Sequence, residues 1–336
     1  MILAETGVSI FEQAFSNFWL VLLLKTVAVM GFFLVVPLGV GYIEHKGLAH
    51  MQARLGPMEA GRFHGWAQLV ADGVKFIQKE DIVPAAADRN VFSLAPAVAM
   101  IPYIAILVVL PLGDTVFAEN LDVGIFFVLA MSSVSVIGIM MAGWSSANKF
   151  SLIGALRAAA QLISYELPLV IAAAAVVMQA GTLSMVGIAE AQQNLWFIIP
   201  QLPGFLIFMM AAFAELQRPP FDMPIADSEI IFGAYTEYTG LKFAFFLLAE
   251  YGGIVALSAI ASVLFLGGYL PLPAMEFIPE PLWMLAKIGA LSFLIIWLRV
   301  TYPRLREDQL QRVSWLVLIP LALLQIVVVG VFKVAF

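Results

Sequence analysis

AELQRPPFDMPIADSEIIFGAYTEYTGLKFAFFLLAE, residues 214–250, is the stretch on which the fold turns, and Tyr251 closes it. Thoroughly apolar segments flank it. Within it stand Glu215, Asp222, Asp227, Glu229, Glu237 and Glu250, opposed only by Arg218 and Lys242. Ionised carboxylates beside a hydrocarbon layer are costly, so such a cluster marks a functional site by default. Arg218-Pro219-Pro220-Phe221-Asp222-Met223-Pro224 cannot form a regular helix, because its prolines remove donors and restrict the preceding residues. Irregular backbone near a membrane persists where protein buries it or water solvates it. A solvated loop would hold the same acids at no cost. Their alternation with Phe221, Met223, Ile225, Ile230, Ile231 and Phe232 argues instead for a packed segment.

Working outward, the chain of 336 residues is 62% hydrophobic and only 12% charged. Its mean hydropathy is +0.98. A soluble protein would carry roughly twice that charge, so this is a polytopic membrane protein. Spans need about 20 apolar residues, and eight are expected: 19–42, 92–112, 124–143, 153–179, 195–214, 242–266, 283–300 and 313–334. The fold class is therefore all-α, one integral membrane domain over residues 1–336. Of the 17 Lys and Arg, 14 (all but Lys25, Lys287 and Lys333) fall on one side, in or beside connections 43–91, 144–152, 215–241 and 301–312. Positive-inside logic makes that side cytoplasmic and puts both termini outside. The acidic N-terminal residues lack the basic start of a cleaved signal peptide. The absence of cysteine excludes disulfides and thiolate-held iron–sulfur clusters. Three scattered histidines give no metal motif, and net charge −6 argues against nucleic acid.

Residues 62–80 predict an amphipathic helix lying in the interface plane, with Phe63, Trp66, Leu69, Val70, Val74, Phe76 and Ile77 on its apolar face and His64, Gln68, Asp72, Lys75, Gln78 and Lys79 opposite. Packing on other cytoplasmic protein is the compatible alternative. In the fourth span Arg157, Gln161 and Ser164 share one face while Glu166, beside Pro168, points away, so protein encloses this helix on both sides. No internal repeat, phosphate-binding glycine loop, GxSxG or dinucleotide fingerprint is present.

Several motifs now carry a resemblance. Ala214 to Asp222, with Asp227-Ser228-Glu229 and Glu237-Tyr238, closely resembles the H-type membrane subunit of proton-pumping NADH:quinone oxidoreductase, respiratory complex I, whose mitochondrial counterpart is subunit 1. Met51-Gln52-Ala53-Arg54-Leu55-Gly56-Pro57 resembles that family's MQxRxGP, and Asp72 to Lys75 with Lys79-Glu80 its DxxK…KE. Residues 154–166 resemble GALRAxAQ…ISYE, and 297–310 resemble WxRxxxPRxRxDQL. The likeness runs in order from about residue 40 to 320.

The resemblance implies a subunit at the junction of the membrane and peripheral arms of an H⁺-translocating enzyme in the bacterial cell (inner) membrane. Quinone is the substrate, and FMN and iron–sulfur clusters lie in partner subunits, so the chain itself has no redox centre. Glu166, Glu215, Asp222, Asp227, Glu229, Glu237 and Glu250 would form a proton relay. Glu44, Arg54, Gly56, Pro57, Asp72, Lys75, Arg218, Phe221, Arg299 and Arg304, with Arg306 nearby, would line the quinone path, chamber rim and docking surface. The expected partners are other membrane-arm subunits, the peripheral-arm subunits of the quinone site, and lipid. Two positions depart from the family: His45 follows Glu44 where an Arg is common, and Ile225 stands where the loop often has an acid. A homologous ion-coupling subunit of a membrane-bound hydrogenase or ferredoxin-linked complex is the alternative. A secondary transporter would predict inverted repeats, and a purely structural anchor would leave the acids without a role.

Overall fold

A computed structural model describes residues 9–15, 17–225, 227–272 and 277–335; the side chains of Asp227 and Ser228 lie outside what is described. The regular secondary structure among the described residues is helical, with no strand among them. A short α1 (Ile10–Ala14) leads into α2 (Phe18–Met51), α3 (Gln68–Gln78), α4 (Arg89–Val109), α5 (Gly124–Ser145) and α6 (Lys149–Ala180). Then follow α7 (Met185–Glu190), α8 (Leu202–Glu215), α9 (Asp227–Ile230), α10 (Gly240–Phe265) and α11 (Glu280–Thr301). The last helical stretch is α12 (Glu307–Val313), a π turn (Ser314–Leu318) and α13 (Ile319–Ala335). Among the described residues, seven helices are long and apolar enough to cross a membrane. The α10 helix is the most enclosed of them, and Ile254 to Phe265 form the centre of the core.

Three expectations are corrected by this geometry. The fifth span is only 14 residues long, about 21 Å of helix against roughly 30 Å of hydrocarbon. Pro200 and Pro203 delay its start, and residues before it lie against protein: Ile198 N donates to Phe265 O at 2.9 Å and Phe197 N to Gln192 Oε1 at 3.1 Å. Buried irregular backbone is admissible there because its polar groups are paired. The interfacial helix begins at Gln68 instead of Arg62, because Gly61, Arg62, His64 and Gly65 adopt left-handed backbone. Its apolar arc also serves two neighbours. Phe76 meets Phe243 and Leu69 approaches Gly41, whereas Val70, Val74 and Ile77 stay exposed. Finally, α2 runs on to Met51, well beyond residue 42.

Proline explains a local feature of α6. Pro168 removes the N–H that would bond to the Ser164 carbonyl one turn earlier. Ser314 Oγ, at the π turn, donates to that carbonyl instead. Tyr165 Oη donates to Leu310 O at 2.9 Å nearby. The carbonyl freed by proline thus helps to tie the last helical stretch to α6.

Candidate functional site

Helix α8 ends at Glu215 because the next residues cannot continue it. Gln217 is left-handed at φ +53°, and Pro219-Pro220 lacks two donors. Gln161 of α6 receives the segment, its Nε2 donating to Ala214 O and Phe221 O, each at 2.6 Å. Phe221 is buried between Tyr165 and Phe213 (ring centroids 5.7 and 5.8 Å apart). Further along, Gly154 admits the loop: a Cβ there would stand 2.6 Å from Ala234 N and 2.7 Å from Pro224 O. From Glu215 to Met223 the acidic segment is accordingly packed, whereas Glu229 and Ile231 further along are exposed.

Arg218 is 1% exposed and lies at the centre of a buried charge network. It donates to Glu44, itself 3% exposed, and pairs with Glu250 through Nε at 2.6 Å. Its guanidinium lies 4.8 Å from the ring centroid of Tyr251. Arg299 donates to the other oxygen of Glu44. Two arginines thus balance two carboxylates, contributed by α2, the loop, α10 and α11. Removing one member of such a buried set costs about 3–5 kcal/mol, because the partner charge is left behind.

Glu215 lies outside that balance. It is 9% exposed, and neither of its buried oxygens accepts a well-formed hydrogen bond among the described residues; the Ser132 hydroxyl stands beside it but donates to Leu129 O at 2.9 Å. It shares a cavity of about 30 Å³ with Glu250, Tyr103, Ser135 and Tyr235. Tyr103 Oη and Ser135 Oγ are 3.0 Å apart. A cavity of this size holds about one or two waters. Glu166, on α6, accepts from Ser133 of α5 and is close enough to Glu215 to repel it.

The remaining predicted residues form two further groups. Towards the loop surface, Asp222 pairs with Arg304 at 2.9 Å, Glu237 accepts from Asn148 Nδ2 at 2.6 Å, and Arg157 meets Glu229 at 2.5 Å and Glu307 at 3.4 Å. The hydrogen bond from Arg157 holds the Glu229 carboxyl below its usual range. Arg306 is exposed and engages Asp308. The Asp227 side chain is among those not described. Apart from these, Arg54, Gly56, Pro57, Asp72 and Lys75 gather where α2 gives way to α3.

Sequence reasoning missed Tyr103, Ser135 and Tyr235 as lining residues. For Tyr103 and Ser135 the available signal was a polar hydroxyl inside an apolar span; Tyr235 lies in the loop, in the turn Gly233–Tyr235, and carried no such signal. Glu44, expected to frame the quinone entry, lies between Arg218 and Arg299.

A family described as NADH dehydrogenase matches residues 24–330. A protein of Geobacillus kaustophilus, the H subunit of an NADH-quinone oxidoreductase, is 45% identical over 293 residues, covering 87% of this chain and 88% of its own. The protein of that name from Anoxybacillus flavithermus matches to the same extent. Its namesake in Bacillus thuringiensis subsp. konkukian is 44% identical over 309 residues, covering 92% of each chain. With the match spanning nearly the whole chain, the buried charge network included, this membrane protein belongs to the family of NADH-quinone oxidoreductase H subunits.

Proposed function

We propose that the chain walls part of a quinone chamber and couples quinone reduction to proton translocation through a carboxylate relay. The observation that carries this reading is Glu215: a buried acid with no well-formed hydrogen bond and no cation on it, sharing a water-sized cavity with Glu250. A carboxylate so placed responds strongly to charge arriving nearby, since burial and neighbouring charges jointly set its protonation. At an effective dielectric near 20, charges about 4 Å apart interact by roughly 4 kcal/mol. Charge created at a reduced quinone would pass through Arg218 and Glu250 to Glu215, and from there to Glu166. Asp222, Asp227, Glu229 and Glu237 would feed the same relay from the loop side, where Arg304 and Arg157 hold two of them.

Glu44, Arg54, Gly56, Pro57, Asp72, Lys75, Arg218, Phe221, Arg299 and Arg304 would line the quinone path and its rim. Redox groups would reside in partner subunits: FMN and iron–sulfur clusters in the peripheral arm, which docks on the face rich in Lys and Arg. That face would be cytoplasmic, with both termini on the opposite side of the cell membrane. Glu215→Gln tests the reading in the assembled complex reconstituted into vesicles. Proton translocation should fall by roughly tenfold or more. An unchanged ratio of protons moved to quinone reduced would sink the relay.

A further inference from the structure

Between the end of α2 and α3 lies a cavity of about 200 Å³ lined by His45, Leu48, Arg54, Pro57, Gln68 and Asp72. The turn that shapes it is locked from outside. Lys46 Nζ donates to the carbonyls of Leu55 (3.3 Å) and Pro57. Gly56, at φ +68°, lies so close to helix α2 that a Cβ there would stand 2.8 Å from that of Ala49.

The lining brings open donors and a carboxylate into one cavity. Arg54 uses only its Nε, on Gln52 Oε1 at 2.8 Å, so its terminal nitrogens have no partner among the described residues. Nδ1 of His45 is buried, likewise with none. Asp72 accepts from Lys75 at 2.6 Å and Gln68 at 3.2 Å. Burial opposes its ionisation, yet these hydrogen bonds hold its carboxyl below the usual value. Guanidinium and imidazole donors that share a cavity with a carboxylate suit a zwitterion that carries a phosphate and a donating ammonium.

What lies beside the cavity says where such a zwitterion would come from. Val70, Val74 and Ile77 of α3, with Phe63 and Trp66 before it, are exposed. An apolar row on a short helix with charges behind it lies at the boundary of headgroups and acyl chains. Basic pockets between helices at that level hold phospholipid headgroups.

We propose that this cavity binds the headgroup of an aminophospholipid of the phosphatidylethanolamine type, with Arg54 and His45 taking the phosphate and Asp72 accepting from the primary ammonium. A choline headgroup offers Asp72 no N–H, and a glycerol headgroup offers no positive charge. The site shares Arg54, Pro57 and Asp72 with the rim of the quinone path proposed above, but its test measures bound lipid instead of turnover, so either can fail alone.

The intact complex is equilibrated in nanodiscs of equal phosphatidylethanolamine, phosphatidylcholine and phosphatidylglycerol, released into mild detergent, and its retained lipids counted by native mass spectrometry. The wild type should keep phosphatidylethanolamine that Arg54→Gln keeps roughly tenfold less, the loss of a charge-assisted contact. Asp72→Asn should keep lipid but lose the preference over phosphatidylcholine. Equal retention by wild type and Arg54→Gln, or no headgroup preference in the wild type, overturns the site. Should the variants fail to assemble, phosphatidylethanolamine with a photoreactive acyl chain is applied to the wild type. Labelling within residues 63–77 supports the site, and labelling confined to other segments overturns it.

Discussion

Lys287, near the start of α11, and Glu215, at the end of α8, both carry a charge-bearing group into the protein, at 7% and 9% exposure. Lys287 Nζ donates to the carbonyls of Leu266, Gly268 and Leu270, each at 2.7 Å, and lies 4.3 Å from the ring centroid of Trp196. All three ammonium donors are used, and they satisfy carbonyls just past the C-terminus of α10, where a cation is favoured. Neither oxygen of Glu215 accepts a well-formed hydrogen bond among the described residues, the Ser132 hydroxyl beside it donating to Leu129 O. The difference separates a charge that builds the fold from one that the fold leaves free to change. Arg218 shows a third arrangement, with its charge fully matched by Glu44 and Glu250.

Removing the matched charge should have the largest effect. Arg218→Met leaves Glu44 and Glu250 without their shared cation and should destabilise the protein by about 3–5 kcal/mol, read as loss of assembled complex or a lower unfolding temperature. Adding Glu250→Gln should restore part of that loss if the network is held by charge balance. Lys287→Met comes next, at about 2–3 kcal/mol, because it orphans three carbonyls. Complex that does assemble should still reduce quinone normally. Glu215→Met should leave stability unchanged or raise it by about 1 kcal/mol, since no well-formed hydrogen bond is lost and a buried acid is removed. A drop as large as that of Lys287→Met would erase the distinction between the two residues.

The smallest effect belongs to Glu229, whose side chain is 39% exposed beside Arg157. Its carboxyl is held below the ordinary 4.5. Its contribution is therefore complete above that value and disappears as pH falls through the lowered folded-state value. Solvent limits the contribution to less than about 1 kcal/mol. Thermal unfolding followed from about pH 6 down to about pH 3 should show Glu229→Gln and wild type converging at the acid end. Curves that stay parallel would mean the pair contributes nothing.

Much of the fold was legible because hydropathy is a local property. Every expected span except the fifth corresponds to a long apolar helix, and the two polar faces of α6 face protein as expected, Gln161 holding the loop and Glu166 meeting Ser133. The fifth span misled because its apolar run includes Leu195–Gln201, where burial against α10 and Gln192 tolerates irregular backbone. The early start of the α3 helix misled for a different reason: Gly61 and Gly65 permit turns that an apolar period does not reveal.

By itself the sequence determined the all-helical membrane class, the separation of the cations from the opposite connections, and the set of acids that needed explaining. Those follow from the cost of charge and unpaired backbone in hydrocarbon, a cost read residue by residue. Only the tertiary structure decided which acids are neutralised. Glu44 and Arg218 are 174 positions apart, and Glu44 and Arg299 are 255 apart. A carboxylate's state depends on the donors and charges within a few ångströms of it, and it is the packing of α2, α8, α10 and α11 that gives Glu44 two arginines and Glu215 none.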